Sequence, residues 1–167
     1  MKKLMQFSVL VICSLGLFGC PYESQVPISD PYIPIDSRLI GEWNSKDEVY
    51  NNYTVTVASE TEYHIVQRNT IGNISTYKGF LSEIKGVMFM NLYSDSSGAY
   101  YLYRLKMDNA GNKFTLMPLA ENLPEHFGSK DGLRNYLEKS MNLQSIYNSA
   151  ENTEFQKIPL NMTGSLN

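Results

Sequence analysis

The chain has 167 residues, of which 43% are hydrophobic and 19% charged, a composition that suits one folded domain with tails and excludes global disorder. The formal net charge is −3, and because Lys2 and Lys3 lie in the leader, the part after residue 19 holds 12 basic against 17 acidic residues, a balance of −5. That sign argues against nucleic acid as a partner and against electrostatic adsorption to anionic lipid.

The first nineteen residues have the pattern of an export signal. Lys2 and Lys3 give a short positive start, and an uncharged, almost wholly apolar stretch runs from residue 7 to residue 18. This stretch is shorter than the roughly 20 residues that a membrane-spanning helix needs, and it has the length of a signal-peptide core. The sequence therefore predicts a signal peptide over residues 1–19. The alternative is an uncleaved anchor helix.

The apolar stretch ends in Leu17-Phe18-Gly19-Cys20. This resembles the bacterial lipobox, in which an aliphatic residue precedes the modified cysteine by three positions and a small residue stands just before it. The resemblance implies cleavage after Gly19 and acyl chains on the sulfur and the new amino group of Cys20. Two or more acyl chains hold a protein stably at a membrane, so we expect anchoring in the cell envelope, on the inner or the outer membrane.

A proline-rich tether is predicted over residues 20–36. Pro21, Pro27, Pro31 and Pro34 alternate there with serine and aspartate, and proline at this density favours an extended, polyproline-like chain. We therefore expect a semi-rigid spacer that holds a domain off the bilayer. The domain itself is expected over residues 37–160, followed by a disordered tail over residues 161–167.

The domain is expected to fold as an antiparallel β meander. Segments of alternating apolar and polar residues follow one another, separated by turn sequences such as Lys85-Gly86. The first predicted strand opens at Gly41, and the others cover residues 50–58, 62–68, 75–84, 87–93, 99–107, 113–119 and 153–158. A sheet of seven or eight strands must curl or close to hide its edges. The sequence thus predicts a mainly β fold, either a barrel or a half-barrel.

One short helix is predicted before the last strand. Ser129 is a suitable N-cap, and apolar residues recur after it at helical spacing, at Leu133, Tyr136, Leu137 and Met141. The final predicted strand then begins at residue 153.

Gly41-Glu42-Trp43, in the first strand, is similar to the Gly-x-Trp signature of lipocalin-like (calycin) barrels. The resemblance implies that Trp43 plugs the closed end of a barrel and that a basic side chain from a late element stacks on it. Lys157 is the only basic residue of the predicted last strand, so it is the expected partner in a cation–π contact. The alternative is that Trp43 is an ordinary core residue.

The sequence predicts no catalytic, metal or cofactor site, and we expect the chain not to be an enzyme. His64 and His126 lie in separate segments without the spacing of a metal pair. A Gly-x-Ser-x-Gly elbow and a glycine-rich phosphate loop are both absent from the sequence. The turn at Asp108–Asn112 lacks the closing acidic residue of a calcium loop.

A small apolar ligand is the first hypothesis for what the domain binds. Aromatic and methionine side chains on the strands suit adaptable contact with such a ligand. The candidate residues are Met88, Phe89, Met90, Tyr101, Tyr103 and Met107. The alternative is that these side chains simply fill a small barrel. In that case we expect an envelope protein as the partner, docked by exposed tyrosines such as Tyr77 and Tyr100.

Overall fold

The computed structural model describes residues 22–46, 52–121, 123 and 126–159. The predicted signal peptide, the predicted lipidation site Cys20 and the predicted C-terminal tail lie outside these residues. The described residues form nine strands and one α-helix: β1 (Glu23–Ser24), β2 (Gly41–Ser45), β3 (Asn52–Val57), β4 (Tyr63–Arg68), β5 (Ile74–Ile84), β6 (Val87–Ser94), β7 (Ala99–Met107), β8 (Lys113–Pro118), α1 (Lys130–Ser140) and β9 (Thr153–Lys157).

Eight of these strands close into an antiparallel barrel. Neighbours follow the order β7-β6-β5-β4-β3-β2-β9-β8, and a further pairing between β7 and β8 joins the two ends. The short strand β1 pairs with Tyr100 and Tyr101 at the start of β7, whereas β8 pairs with the later part of that strand, from Tyr103 to Met107. The predicted meander is confirmed, and closure decides between the two predicted forms in favour of a barrel.

The helix and the hairpins follow the local chemistry that predicts them. The side chain of Ser129 accepts a hydrogen bond from the backbone N–H of Gly132 and so caps α1, which precedes β9 as expected. Between β5 and β6, Lys85 and Gly86 both have positive φ, at 49° and 80°. That backbone matches the twist of a two-residue hairpin.

Two hydrophobic cores lie on opposite sides of the barrel wall. Along β6, Met90 faces the inner core, while Phe89 faces the outer one, as period-two alternation requires. The inner core contains Leu39, Trp43, Val55, Tyr63, Ile65, Leu81, Met90, Leu105, Phe114, Leu116 and Phe155. The outer core lies beneath α1 and the N-terminal segment, residues 22–30. It includes Tyr22, Ile28, Phe89, Leu102, Leu133, Leu137 and Tyr147.

The N-terminal segment packs on the barrel instead of standing off it. Tyr22, Ser24 and Ile28 are 3%, 1% and 1% exposed, and the backbone N–H of Ile28 donates to the buried side chain of Asn91 at 2.9 Å. The predicted spacer over residues 20–36 therefore does not hold for its described part. The reason is that apolar residues interrupt the prolines, and burying them on the outer face of the barrel stabilises the docked chain.

Candidate ligand-binding cavity

Trp43 closes one end of the barrel. Its side chain is 0% exposed, its Nε1 donates to the carbonyl of Leu39 at 2.9 Å, and its ring meets Phe114 edge-on with centroids 4.5 Å apart. Lys157 Nζ lies 5.1 Å from the Trp43 ring centroid and donates to the carbonyl of Arg38 at 2.8 Å. The predicted cation–π contact is thus present, and it lies where β2 and β9 pair.

Gly41 makes room for that lysine. It has a φ of +132°, a conformation that residues with side chains rarely adopt, and an added Cβ would lie 3.0 Å from Lys157 Cε. The glycine of the Gly-x-Trp pattern therefore serves the tryptophan–lysine contact directly.

A 3-10 turn over Ser37–Leu39 covers this closed end. The hydroxyl of buried Tyr63 accepts a hydrogen bond from the backbone N–H of Asp36 at 2.6 Å. The Asp36 carboxylate accepts from the Arg38 guanidinium, and this hydrogen bond lowers the pKa of Asp36 below its usual value. Burial raises the pKa of the Tyr63 hydroxyl.

A cavity of about 770 Å³ occupies the barrel interior beyond Trp43. Phe114 and Phe155 stack with centroids 4.6 Å apart and form its floor against Trp43, which does not itself line the space. The other lining residues come mostly from strand ends and are Tyr53, Ile65, Gln67, Tyr77, Met90, Leu92, Tyr101, Tyr103, Leu116, Pro118, Ala150, Glu151, Asn152 and Thr153. We call the end of the barrel opposite Trp43, where β3 and β7 begin, the open end.

Several polar side chains of the cavity wall bond to one another. Gln67 Nε2 donates to the Tyr53 hydroxyl at 2.9 Å, and the Tyr77 hydroxyl donates to Gln67 Oε1 at 3.2 Å. By contrast, Asn152 Oδ1 is buried and has no hydrogen-bond partner in the described part of the chain. Most of the lining side chains are aromatic or aliphatic.

Three of the six candidate ligand-contacting residues line this cavity: Met90, Tyr101 and Tyr103. Met88 and Met107 pack against the inner core without lining the cavity. Phe89 was assigned wrongly, because it is 0% exposed in the outer core. Its neighbours along β6 point inward, so the alternation of the strand turns Phe89 outward, where α1 and the N-terminal segment cover the barrel.

The two tyrosines expected to dock a partner are not free surface groups. Tyr77 lines the cavity, and Tyr100 is half-buried on the outer face, with its ring 5.0 Å from that of Tyr93. The cavity residues that sequence reasoning missed are chiefly Phe155 and Asn152. The alternation of β9 could have indicated Phe155, whereas Asn152 lies before that strand and no pattern marks it.

The histidines stand apart from the cavity. His64 is exposed on β4 and His126 is exposed before α1, and neither belongs to the lining. Within residues 22–46, 52–121, 123 and 126–159, no group of three or more His, Cys, Asp or Glu side chains is arranged to hold a metal ion. The described chain also contains no helix of the length and apolar character needed to cross a membrane.

Taken together, these elements define a closed eight-stranded antiparallel barrel with a plugged end and an internal cavity. No known protein family model matches the chain, and neither the curated proteins nor the solved structures include a match.

Proposed function

We propose that this chain is a lipid-anchored lipoprotein of the bacterial cell envelope, whose barrel binds a small hydrophobic molecule without catalysing a reaction. The cavity of about 770 Å³ is the observation that carries the binding proposal. Small-molecule sites are typically concave, mostly apolar and roughly 300–1,000 Å³ in volume. An eight-stranded barrel has an interior that side chains alone are able to fill, so the space left here favours a ligand over a fully packed core.

We also infer a relationship to lipocalin-like barrels. The Gly41 and Trp43 pattern, the buried plug and the stacked Lys157 support it. One feature departs from that family, because typical lipocalins place their helix after the last barrel strand, whereas α1 precedes β9.

The lipid anchor and the cavity fit together geometrically. The described chain begins at Tyr22, which is bonded through its N–H to the carbonyl of Leu119, and the next residues pair with the start of β7 at the open end. Only Pro21 separates Cys20 from Tyr22, and two residue steps reach roughly 7 Å. An acylated Cys20 would therefore hold the open end of the barrel close to the membrane, where apolar molecules are concentrated.

The same end carries exposed apolar side chains. In the hairpin between β4 and β5, Ile71 is 80% exposed and Ile74 is 58% exposed. Contact with a lipid surface removes such apolar side chains from water, which is favourable. Their position therefore agrees with an open end that faces the bilayer.

A second candidate function is assembly or docking of an envelope protein. It is favoured by Tyr32 and Val57, which are 55% and 54% exposed near the closed end of the barrel, away from the proposed anchor. Scattered exposed apolar residues are common on monomeric proteins, so we rank this function below ligand binding.

Metabolic labelling with radioactive palmitate tests the anchor. We expect the chain to incorporate label, Cys20→Ser to abolish it, and Cys13→Ser to leave it unchanged, because only Cys20 occupies the lipobox position. Globomycin should block maturation of the unaltered chain. Equal labelling of the unaltered chain and Cys20→Ser would refute the lipoprotein proposal.

Binding of N-phenyl-1-naphthylamine, an apolar dye that fluoresces when it leaves water, tests the cavity. We expect saturable binding to the full chain held in a nonionic amphipathic polymer. Leu92→Trp puts a bulky indole ring into the cavity and should weaken dye binding about tenfold or more. Val57→Trp adds the same ring at an exposed site and should leave dye binding unchanged. Native mass spectrometry of the same sample should reveal a co-purifying small molecule. Dye binding that is absent, or equal in the two variants, would exclude the cavity as the site.

A further inference from the structure

The N-terminal segment, residues 22–30, covers the edge of β7 at the open end of the barrel. One edge of β7 is occupied by β6, so β8 and β1 share the other. Strand β8 pairs with this edge as far as Tyr103, and β1 pairs with it at Tyr101. The backbone N–H of Tyr22 also donates at 3.3 Å to the carbonyl of Leu119, which follows β8. The segment therefore bonds both to β7 and to the chain that leaves it.

One lining residue of the cavity is held by this segment. Tyr101 lines the cavity, and Glu23 is its direct partner in β1. Directly opposed residues of two paired strands have their side chains on the same face of the sheet, so Glu23 lies on the inner side of the wall, exposed at the rim. There its carboxylate accepts from the Tyr101 hydroxyl at 2.9 Å. Tyr101 thus has both its backbone pairing at this edge and a partner for its hydroxyl from the segment.

The other contacts of the segment lie on the outer face of the wall. Ile28 is buried in the outer core, and its backbone N–H donates to Asn91. Asp30 forms an ion pair with Lys130 of α1 at 2.6 Å. Residues 22–30 are all described, and none of them lines the cavity. Docking of the segment is therefore open to change by substitutions that leave the cavity lining intact.

Tyr101 joins ligand contact inside the barrel to strand pairing at its edge. When β1 is paired, the backbone and the hydroxyl of Tyr101 are fixed, and a ligand meets a ring that is already in place. When β1 is released, β7 loses its partner at this edge and the ring loses its bond to Glu23, so a ligand must order both. A ligand therefore binds the docked form more tightly, and by linkage it stabilises docking by the same factor.

We propose that ligand binding in the cavity and docking of the N-terminal segment stabilise each other, so that occupancy of the cavity controls how firmly the barrel is held beside its anchor. This inference rests on the proposed function, since it describes regulation of the same cavity. With the cavity filled, the segment stays docked and the barrel lies close to Cys20. With the cavity empty, release of residues 22–30 frees a length of chain that extends to about 30 Å, and the barrel gains that reach from the membrane.

Hydrogen exchange on the full chain in the nonionic polymer tests one direction of the coupling. We expect saturating N-phenyl-1-naphthylamine to slow exchange over residues 22–30 about fivefold or more and to leave the closed-end hairpin, residues 58–62, unchanged. In Glu23→Ala the dye should still bind but slow exchange less than about twofold. Glu42→Ala removes an exposed glutamate of β2 outside the cavity and should behave as the unaltered chain. In Leu92→Trp, whose cavity is filled, the dye should have no effect on exchange.

Dye titrations test the other direction. Asn91→Leu removes the acceptor of the Ile28 N–H on the outer face, and Asn91 does not line the cavity. It should nevertheless weaken dye binding about fivefold or more, by the same factor that the dye gives in hydrogen exchange. Asn142→Leu makes the same chemical change at an exposed site outside the cavity and should leave the dye affinity unchanged.

The outcomes distinguish this inference from the function on which it rests. The coupling is wrong, and the binding function stands, if the dye binds without slowing exchange over residues 22–30, or slows it equally in Glu23→Ala. Release of the segment in Asn91→Leu without weaker dye binding would overturn the coupling in the same way. If the dye does not bind the full chain, the binding function fails and the coupling with it.

Discussion

Replacing Trp43 by alanine is expected to cost about 4–5 kcal/mol of unfolding free energy. Removal of a large buried aromatic side chain typically costs about 3–5 kcal/mol, because the cavity left behind collapses only in part. Trp43 is 0% exposed and packs on Phe114, and its loss also leaves the buried carbonyl of Leu39 without the indole donor. That loss is a large share of the roughly 5–15 kcal/mol by which domains are stable.

Urea unfolding followed by far-ultraviolet circular dichroism measures the effect. Tryptophan fluorescence is unsuitable because Trp43 is the single tryptophan of the chain. Trp43→Phe keeps a ring against Phe114 but has no N–H, so it should cost about 1–2 kcal/mol. A loss of less than about 1 kcal/mol in Trp43→Ala would show that Trp43 is not the plug of the barrel.

Lys157→Met tests how much the positive charge of Lys157 stabilises the contact with Trp43, apart from the packing of its side chain. It keeps an unbranched side chain but removes the charge 5.1 Å from the Trp43 ring and the hydrogen bond to the Arg38 carbonyl. We expect a loss of about 1 kcal/mol, the scale of an exposed cation–π contact and one hydrogen bond. Lys157 thus supports the plug, while most of the stability comes from burial of the indole.

The sequence predicted the barrel well because each strand carries its own local signal. The prediction for β7 agrees with the structure at both ends, Ala99 and Met107. Strand β9 is also where its apolar pattern places it, and Ser129 caps α1. Alternation and turn chemistry are properties of neighbouring residues, so they are readable in a single chain. The number of strands predicts only that the edges of the meander must be hidden, so the sequence left barrel and half-barrel open.

The N-terminal segment shows what local patterns miss. Its prolines do indicate extended chain, but whether an extended chain stands free or docks depends on the surface it meets. That surface is the outer face of β5 and β6, where Asn91 and Ser82 are both 0% exposed. Residues 63 positions apart in the sequence bond there, Ile28 to Asn91, and no local rule anticipates such a pair.

The cavity was predicted only in part, because it too depends on how distant segments of the chain combine. Tyr101 and Tyr103 share a face of β7, so alternation places both on the inner side. Whether an inward face of the barrel is packed or hollow depends on how eight strands combine, and that sum is not visible along any one of them. Asn152 belongs to a turn, where no periodicity assigns a direction to its side chain.

Asn91→Leu is expected to release the N-terminal segment from the barrel and to cost about 2–4 kcal/mol. Asn91 Oδ1 accepts from the backbone N–H of Ile28 at 2.9 Å, and its Nδ2 donates to Ser82 Oγ at 2.9 Å and to the Phe80 carbonyl at 3.3 Å. Leucine has a similar size but no polar atoms, so the Ile28 N–H loses its partner in a buried place. Each unsatisfied buried group costs about 1–3 kcal/mol.

Detachment of the N-terminal segment would reduce that cost. If the segment from Tyr22 to Ser29 leaves the barrel, water satisfies the Ile28 N–H, but the burial of Tyr22 and Ile28 is lost, at about 1.5–3 kcal/mol for a fully buried apolar side chain. Hydrogen exchange should therefore rise sharply over residues 22–30 and remain low in β3 to β8. Limited proteolysis should cut the same segment while the circular dichroism of the barrel is kept.

Two further substitutions serve as controls for Asn91→Leu. Asn142→Leu makes the same chemical change at an exposed site and should leave hydrogen exchange over residues 22–30 unaltered. Ser29→Ala removes only the 2.6 Å bond to Ser82 and should loosen the segment slightly. Unchanged protection in Asn91→Leu would mean that apolar burial alone holds the segment. Loosening instead would show that the buried side chain of Asn91 holds residues 22–30, the described segment nearest Cys20, on the barrel.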